Sequence, residues 1–122
     1  NDTWLKNSKI SEAGDTIRKI LIDMEQTKYI QNSALVASMI QQELGPLDVT
    51  HGLKSRGVKQ AMFYVLSQVA MPSTLVEMGF LSNTGDRSRL MDVVFRDEFI
   101  KSLISALKRY RDKVNSKETP AK

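Results

Sequence analysis

The sequence predicts an α/β fold, with part of a mixed, twisted sheet flanked by helices. Three observations carry that expectation. Ala61-Met-Phe-Tyr-Val-Leu66 is almost continuously apolar, as expected of a strand covered on both faces. Thr74, Leu75, Val76, Met78 and Phe80 form a second apolar run, bounded by Pro72 and Gly79. Phe95, Phe99, Leu103 and Leu107 recur every four residues, and Ile100, Ile104, Tyr110 and Val114 widen that stripe into a long amphipathic C-terminal helix.

Residues 1–14 are polar and weakly patterned, with Trp4 and Leu5 as an isolated apolar pair, and read as a loop or frayed turn. Asp15 then caps a helix whose positions Ile17, Ile20, Leu21 and Met24 share a face. A second helical set, Ser33, Val36, Ala37, Ile40 and Leu44, runs to Gly45-Pro46, which stops it. The two sets make one long helix or two separated near residues 27–32. Residues 47–57 read as a glycine-bearing loop that holds the single histidine, His51, and the cations Lys54 and Arg56. The two predicted strands are joined by too few residues for a parallel crossover, so they are antiparallel neighbours or unpaired. After them Asn83 or Thr84 caps a short helix, with Asp86 at its positive end and Leu90 turned inward. Residues 115–122 form a polar tail, and residues 1–14 and 115–122 are expected to be flexible about a single domain.

A length of 122 residues supports one small core, and 41% hydrophobic residues places the chain in the globular class. No run of about 18 apolar residues is present, so no membrane span is expected. With no cysteine, thiolate metal sites and disulfides are excluded. The net charge of +4 favours anionic polymers, but no stacking aromatics or basic stripe accompany it, and a nucleic-acid partner is not expected. A lone loop histidine reads as solvated rather than ligating, because a zinc site needs at least three protein ligands.

Glu77 is the residue that stands out chemically. It interrupts an apolar run at the C-terminal end of a predicted strand, where ligand crevices form in open α/β sheets. A carboxylate there is paired, metal-linked or catalytic, because an unpartnered buried charge is costly. The residue pattern leaves open a structural glutamate, tied to Lys or Arg at the strand terminus or pointing to solvent from an edge strand. Arg56 and Lys59, just upstream, are candidate contacts for a substrate carboxylate.

The wording of these segments resembles a known family. Val58-Lys-Gln-Ala-Met-Phe-Tyr-Val-Leu66, then Met71-Pro72, then Leu75-Val-Glu-Met-Gly-Phe-Leu-Ser-Asn83 is similar to the closing half of the zinc-dependent N-acetylmuramoyl-L-alanine amidases. These enzymes cut peptidoglycan between the muramic acid lactyl group and the first stem-peptide residue. The likeness is specific over residues 56–90 and looser upstream, at Ile20-Leu-Ile-Asp-Met-Glu-Gln26 and Ser33 to Ile40. It implies that the chain is the C-terminal part of an amidase catalytic domain, with Glu77 as general base and acid beside a zinc ion. The family's zinc ligands, two histidines and another glutamate, belong to motifs that precede Asn1 and are absent from this sequence. The resemblance therefore implies zinc in the complete enzyme, with no metal ligand in this chain, and the missing N-terminal half as a partner. It also implies a periplasmic or extracellular place at the cell wall. The alternative is a non-catalytic wall-binding or regulatory remnant of the same family.

Overall fold

The computed structural model describes residues 2–118, and the side chains of residues 9–117. Among the described residues five helices follow one another: α1 Asp2–Leu44, α2 Pro46–His51, α3 Tyr64–Ser67, α4 Thr84–Met91 and α5 Val93–Glu118. Among the described residues there is no strand. The α/β expectation is therefore overturned, and so is the sheet it placed between the helices.

The physical reason lies in what a strand requires. An apolar run becomes a ladder only when a neighbouring backbone takes up its N–H and C=O groups, and one or two isolated strands are marginal in water. Among the described residues no such backbone lies beside residues 61–66. Ala61 to Val65 are exposed instead, Met62 at 97%, and residues 64–67 close a single helical turn on Phe63 O. Residues 74–78 keep one strand-like property. Val76 and Met78 pack inward while Leu75 and Glu77 are exposed, the period-two alternation expected of the sequence, but with no ladder.

The N-terminal expectation also changes. α1 is one continuous helix of 43 residues, about 65 Å long at 1.5 Å per residue, and its backbone includes residues 2–14, read above as a loop. Residues 119–122 of the expected tail lie outside the described residues, while residues 115–118 continue α5. α1 ends where Gly45-Pro46 predicted, and Pro46 opens α2 at a position where its missing N–H costs nothing. α2 replaces the first part of the expected loop and ends on Gly52 at φ 66°, a left-handed cap that glycine adopts without a Cβ penalty.

The core is the seam between the last third of α1 and α5. Val36, Met39, Ile40 and Leu44 of α1, Leu47 of α2, and Phe95, Phe99 and Ala106 of α5 are buried together. Leu53, Val76, Met78, Leu90, Leu103 and Tyr110 pack at its margin. The predicted i, i+4 stripe of α5 is only half right. Each four-residue step turns about 40° beyond a full circle, so Leu107 lies about 120° from Phe95, whereas Ala106, eleven residues on, lies only about 20° away. Ala106 is buried and Leu107 is 52% exposed. Arg109 then ties α5 to the end of α1, donating to Glu43 Oε1 at 2.7 Å and Gln42 Oε1 at 3.2 Å. No helix of the described residues is long and apolar enough to cross a membrane.

The seam predicts unequal costs along α5. Phe95→Ala removes a ring with no exposed surface and should destabilise the chain by about 3–5 kcal/mol, whereas Leu107→Ala should cost about 1 kcal/mol or less. Urea denaturation of both variants checks this, and equal costs would show that the seam is misplaced.

Candidate active site

A groove of about 850 Å³ runs along one side of the α1–α5 seam. Ala37, Ile40 and Leu44 of α1 and Phe99 of α5 contribute its apolar floor. Its walls come from residues that are not in regular structure, within 52–63 and 74–80, together with the start of α4. Its size falls within the range of small-ligand sites.

All three sequence-predicted site residues, Glu77, Arg56 and Lys59, line this groove. Glu77 is exposed rather than buried at a strand end, and among the described residues no hydrogen bond or ion pair engages its carboxylate. Among the described residues no Lys or Arg is paired with it, and its exposure matches the solvent-facing form of the structural alternative as well as a free catalytic carboxylate. Lys59 is exposed, and Lys54 lies on the same wall. The Arg56 guanidinium stacks over the Phe80 ring, 4.5 Å from its centre, which leaves the in-plane N–H groups of the fork available.

The segment that carries Glu77 is held at both ends. Ser73 N–H donates to Ser33 Oγ at 2.8 Å, and that hydroxyl itself donates to Tyr29 O within α1. At the far end Phe80 N–H donates to Asp86 Oδ2 at 2.9 Å. Asp86 stands in the first turn of α4, whose cap is Asn83, one of the two caps the sequence offered, with Asn83 Oδ1 accepting from Asp86 N–H at 2.9 Å. Arg89, one turn on, donates to Asp86 Oδ1. The Phe80 amide, followed by Arg89 and the positive charge of Arg56, holds the Asp86 carboxyl below its ordinary value against the opposing effect of burial.

Two features escaped sequence reading. His51, expected to be solvated, is the last residue of α2, with Nε2 at 2.6 Å from Glu98 Oε2 and its ring edge-on to Phe95 at 5.4 Å. Its partner is 47 residues away, and no local pattern announces such a pair. Asp86 was read only as a helix-dipole charge, although Asn83-x-x-Asp86 has the spacing of a reciprocal cap, a signal that its carboxylate turns back toward the preceding segment. Among the described residues no three His, Cys, Asp or Glu side chains assemble as a metal site.

Because folding lowers the Asp86 carboxyl, its contribution to stability is complete above the unfolded value, near pH 4, and is lost as pH falls through the folded value. The melting-temperature gap between the native chain and Asp86→Asn should therefore be widest above about pH 5 and close in more acid solution. A gap constant from pH 7 to pH 2 would contradict the described hydrogen bonds.

Comparison with known proteins places this groove in context. The family model described as N-acetylmuramoyl-L-alanine amidase matches residues 3–109. The chain is 30% identical over 102 residues to the N-acetylmuramoyl-L-alanine amidase AmiA of Salmonella typhimurium, covering 84% of this chain and 34% of AmiA. It is 39% identical over 90 residues to the amidase AmiC of Neisseria meningitidis serogroup B, covering 74% of this chain and 21% of AmiC. With the amidase LytC of Bacillus subtilis the identity is 37% over 79 residues, 65% of this chain and 15% of LytC. The chain thus spans about a third or less of the length of these curated relatives. No solved structure matches it. Residues 56, 59, 77 and 86, which line the groove, all fall inside the matched range, and the chain belongs to the N-acetylmuramoyl-L-alanine amidase family.

Proposed function

We propose that these 122 residues are the C-terminal part of an amidase-like catalytic domain, and that the intact enzyme hydrolyses the amide between the muramic acid lactyl group and the stem peptide of peptidoglycan. The observation that carries this reading is the Glu77 carboxylate: it lies on the groove, within the family match, with no partner among the described residues. A carboxylate left free in this way is available to move protons.

In this role Glu77 accepts a proton from the attacking water as the water oxygen bonds to the lactyl carbonyl carbon. It returns that proton to the amide nitrogen as the C–N bond breaks. The products are a lactyl carboxylate and a free amine on the stem peptide. Arg56 and Lys59 hold carboxylates of the stem peptide, the first through the bidentate fork that stacking on Phe80 presents. The residues described here do not fit a zinc centre, since no three ligands come together and His51 is engaged by Glu98. We place the family's zinc on ligands in the rest of the complete enzyme, the partner of this chain, acting at the cell wall outside the cytoplasmic membrane.

Two measurements test this. Glu77→Gln in the intact enzyme should lower turnover by about 10² to 10⁴. It should change stability by no more than about 0.5 kcal/mol, since the carboxylate is exposed and unpartnered. A normal rate in that variant would remove Glu77 from the reaction. The isolated chain should release no dye from labelled sacculi, and chelator-sensitive release by it alone would mean that its own residues complete a metal centre.

A further inference from the structure

Glu77 stands in the middle of residues 73–80, a segment without helix or ladder, so its place in the groove is set by a few point contacts. Val76 and Met78 pack against the core on either side of it and thereby turn Glu77 outward. The hydrogen bond from Ser73 N–H to Ser33 Oγ holds the segment four residues before Glu77. The bond from Phe80 N–H to Asp86 Oδ2 holds it three residues after.

The second of these is built with more care than a chance surface contact. Asp86 is fixed by its own N–H on Asn83 Oδ1 and by Arg89 on its other carboxylate oxygen, and its side chain is largely covered. Gly79 lies directly against it. At φ 138° that position suits glycine alone, and a Cβ there would stand 3.0 Å from both Cγ and Oδ2 of Asp86. The chain between Glu77 and Phe80 thus passes so close to the Asp86 carboxylate that no side chain fits between them.

Resting on the reading of Glu77 as the proton carrier, the geometry points to Asp86 as a positioning residue: its carboxylate fixes the Phe80 amide and through it the place of the Glu77 carboxylate in the groove. Asp86 does not touch substrate or exchange protons with it. Its two oxygens are committed to Phe80 and Arg89. Displacing a reacting group by about 1 Å can cost 10²-fold in rate, so loss of this contact acts on turnover even in a chain that stays folded.

The test is a double-mutant cycle in the intact enzyme with Glu77→Gln, Asp86→Ala, the combined variant and Asp86→Asn. Asp86→Ala should lower kcat by about 10- to 100-fold. Asp86→Asn, which retains an oxygen to accept from Phe80 N–H, should recover most of that loss. In the combined variant Asp86→Ala should cost nothing beyond Glu77→Gln, because a residue that acts only through Glu77 has nothing left to position. Hydrogen exchange at the Phe80 amide of this chain supplies a readout independent of activity: protection should be lost in Asp86→Ala and kept in Asp86→Asn. If Asp86→Ala does not fold, Asp86→Ser, whose shorter side chain withdraws the acceptor from Phe80 N–H while leaving the Gly79 backbone unaltered, carries the same expectation for kcat and non-additivity. Equal losses from Asp86→Ala with and without Glu77→Gln would overturn the inference, as would a normal kcat for a folded Asp86→Ala beside a slow Glu77→Gln. A normal rate for Glu77→Gln would instead overturn the reading of Glu77 itself, and the role of Asp86 with it.

Discussion

Everything in this chain hangs on one helix pair, the packing of Phe95, Phe99 and Ala106 of α5 against Val36, Met39, Ile40 and Leu44 of α1. Burying aromatic and aliphatic side chains at about 25 cal/mol per Å² makes this seam, the buried cluster of the described residues, a large favourable contribution. The groove is a by-product of the same seam. Ala37, Ile40, Leu44 and Phe99 belong both to the helix pair and to the groove floor, so a shift of α5 along α1 would change the floor on which the site rests. Small residues matter here: Ser33 and Ala37 let the segment after Ser73 come close to α1, near enough for a backbone N–H to reach a serine hydroxyl.

The walls of the groove obey a different physics. Residues 52–63 and 73–80 have no ladder and few buried side chains, so they gain little from the hydrophobic effect. What fixes them is a small number of directed contacts: Leu53 N–H on Leu47 O at the end of α2, Ser73 on Ser33, Phe80 on Asp86, and Arg56 over Phe80. Each is worth on the order of 1 kcal/mol, which is modest for stability but sufficient to choose among the conformations of a short segment. Packing makes the platform, and hydrogen bonds set where the charged groups stand on it.

The division between these two kinds of interaction explains what could be read from the sequence. The stop at Gly45-Pro46, the Asn83 cap and the Phe95–Phe99 face depend on neighbours within one or two turns, and they were legible. The sheet was not, because the apolarity of Ala61 to Leu66 states only that the run can pair, and pairing requires a backbone that the described residues do not supply beside it. Leu107 was misplaced by treating a four-residue repeat as a straight stripe. Glu77 drew notice by its incongruity in an apolar run and by family resemblance; it lines the groove, but it was expected in a buried strand and is exposed. Alternation along residues 74–78 survived the loss of the sheet, and that alternation is what turns Glu77 toward the groove. His51 on Glu98 was illegible for the opposite reason, since a contact between positions 51 and 98 is a property of the tertiary fold alone.

The groove holds two carboxylates, Glu77 and Asp86, nine positions apart, and their surroundings differ. Asp86 accepts hydrogen bonds from a backbone amide and a guanidinium, which favour its charged form and would both be weakened if it took up a proton. A group so committed is a poor proton acceptor at any ordinary pH, and a good strut. Glu77 has no such commitments among the described residues, so protonating it forfeits no contact that holds the groove together. A site that must move protons without moving its own walls needs these functions on separate groups. Under the proposed reading of Glu77, the covered carboxylate at the start of α4 and the free one on the groove wall supply that separation.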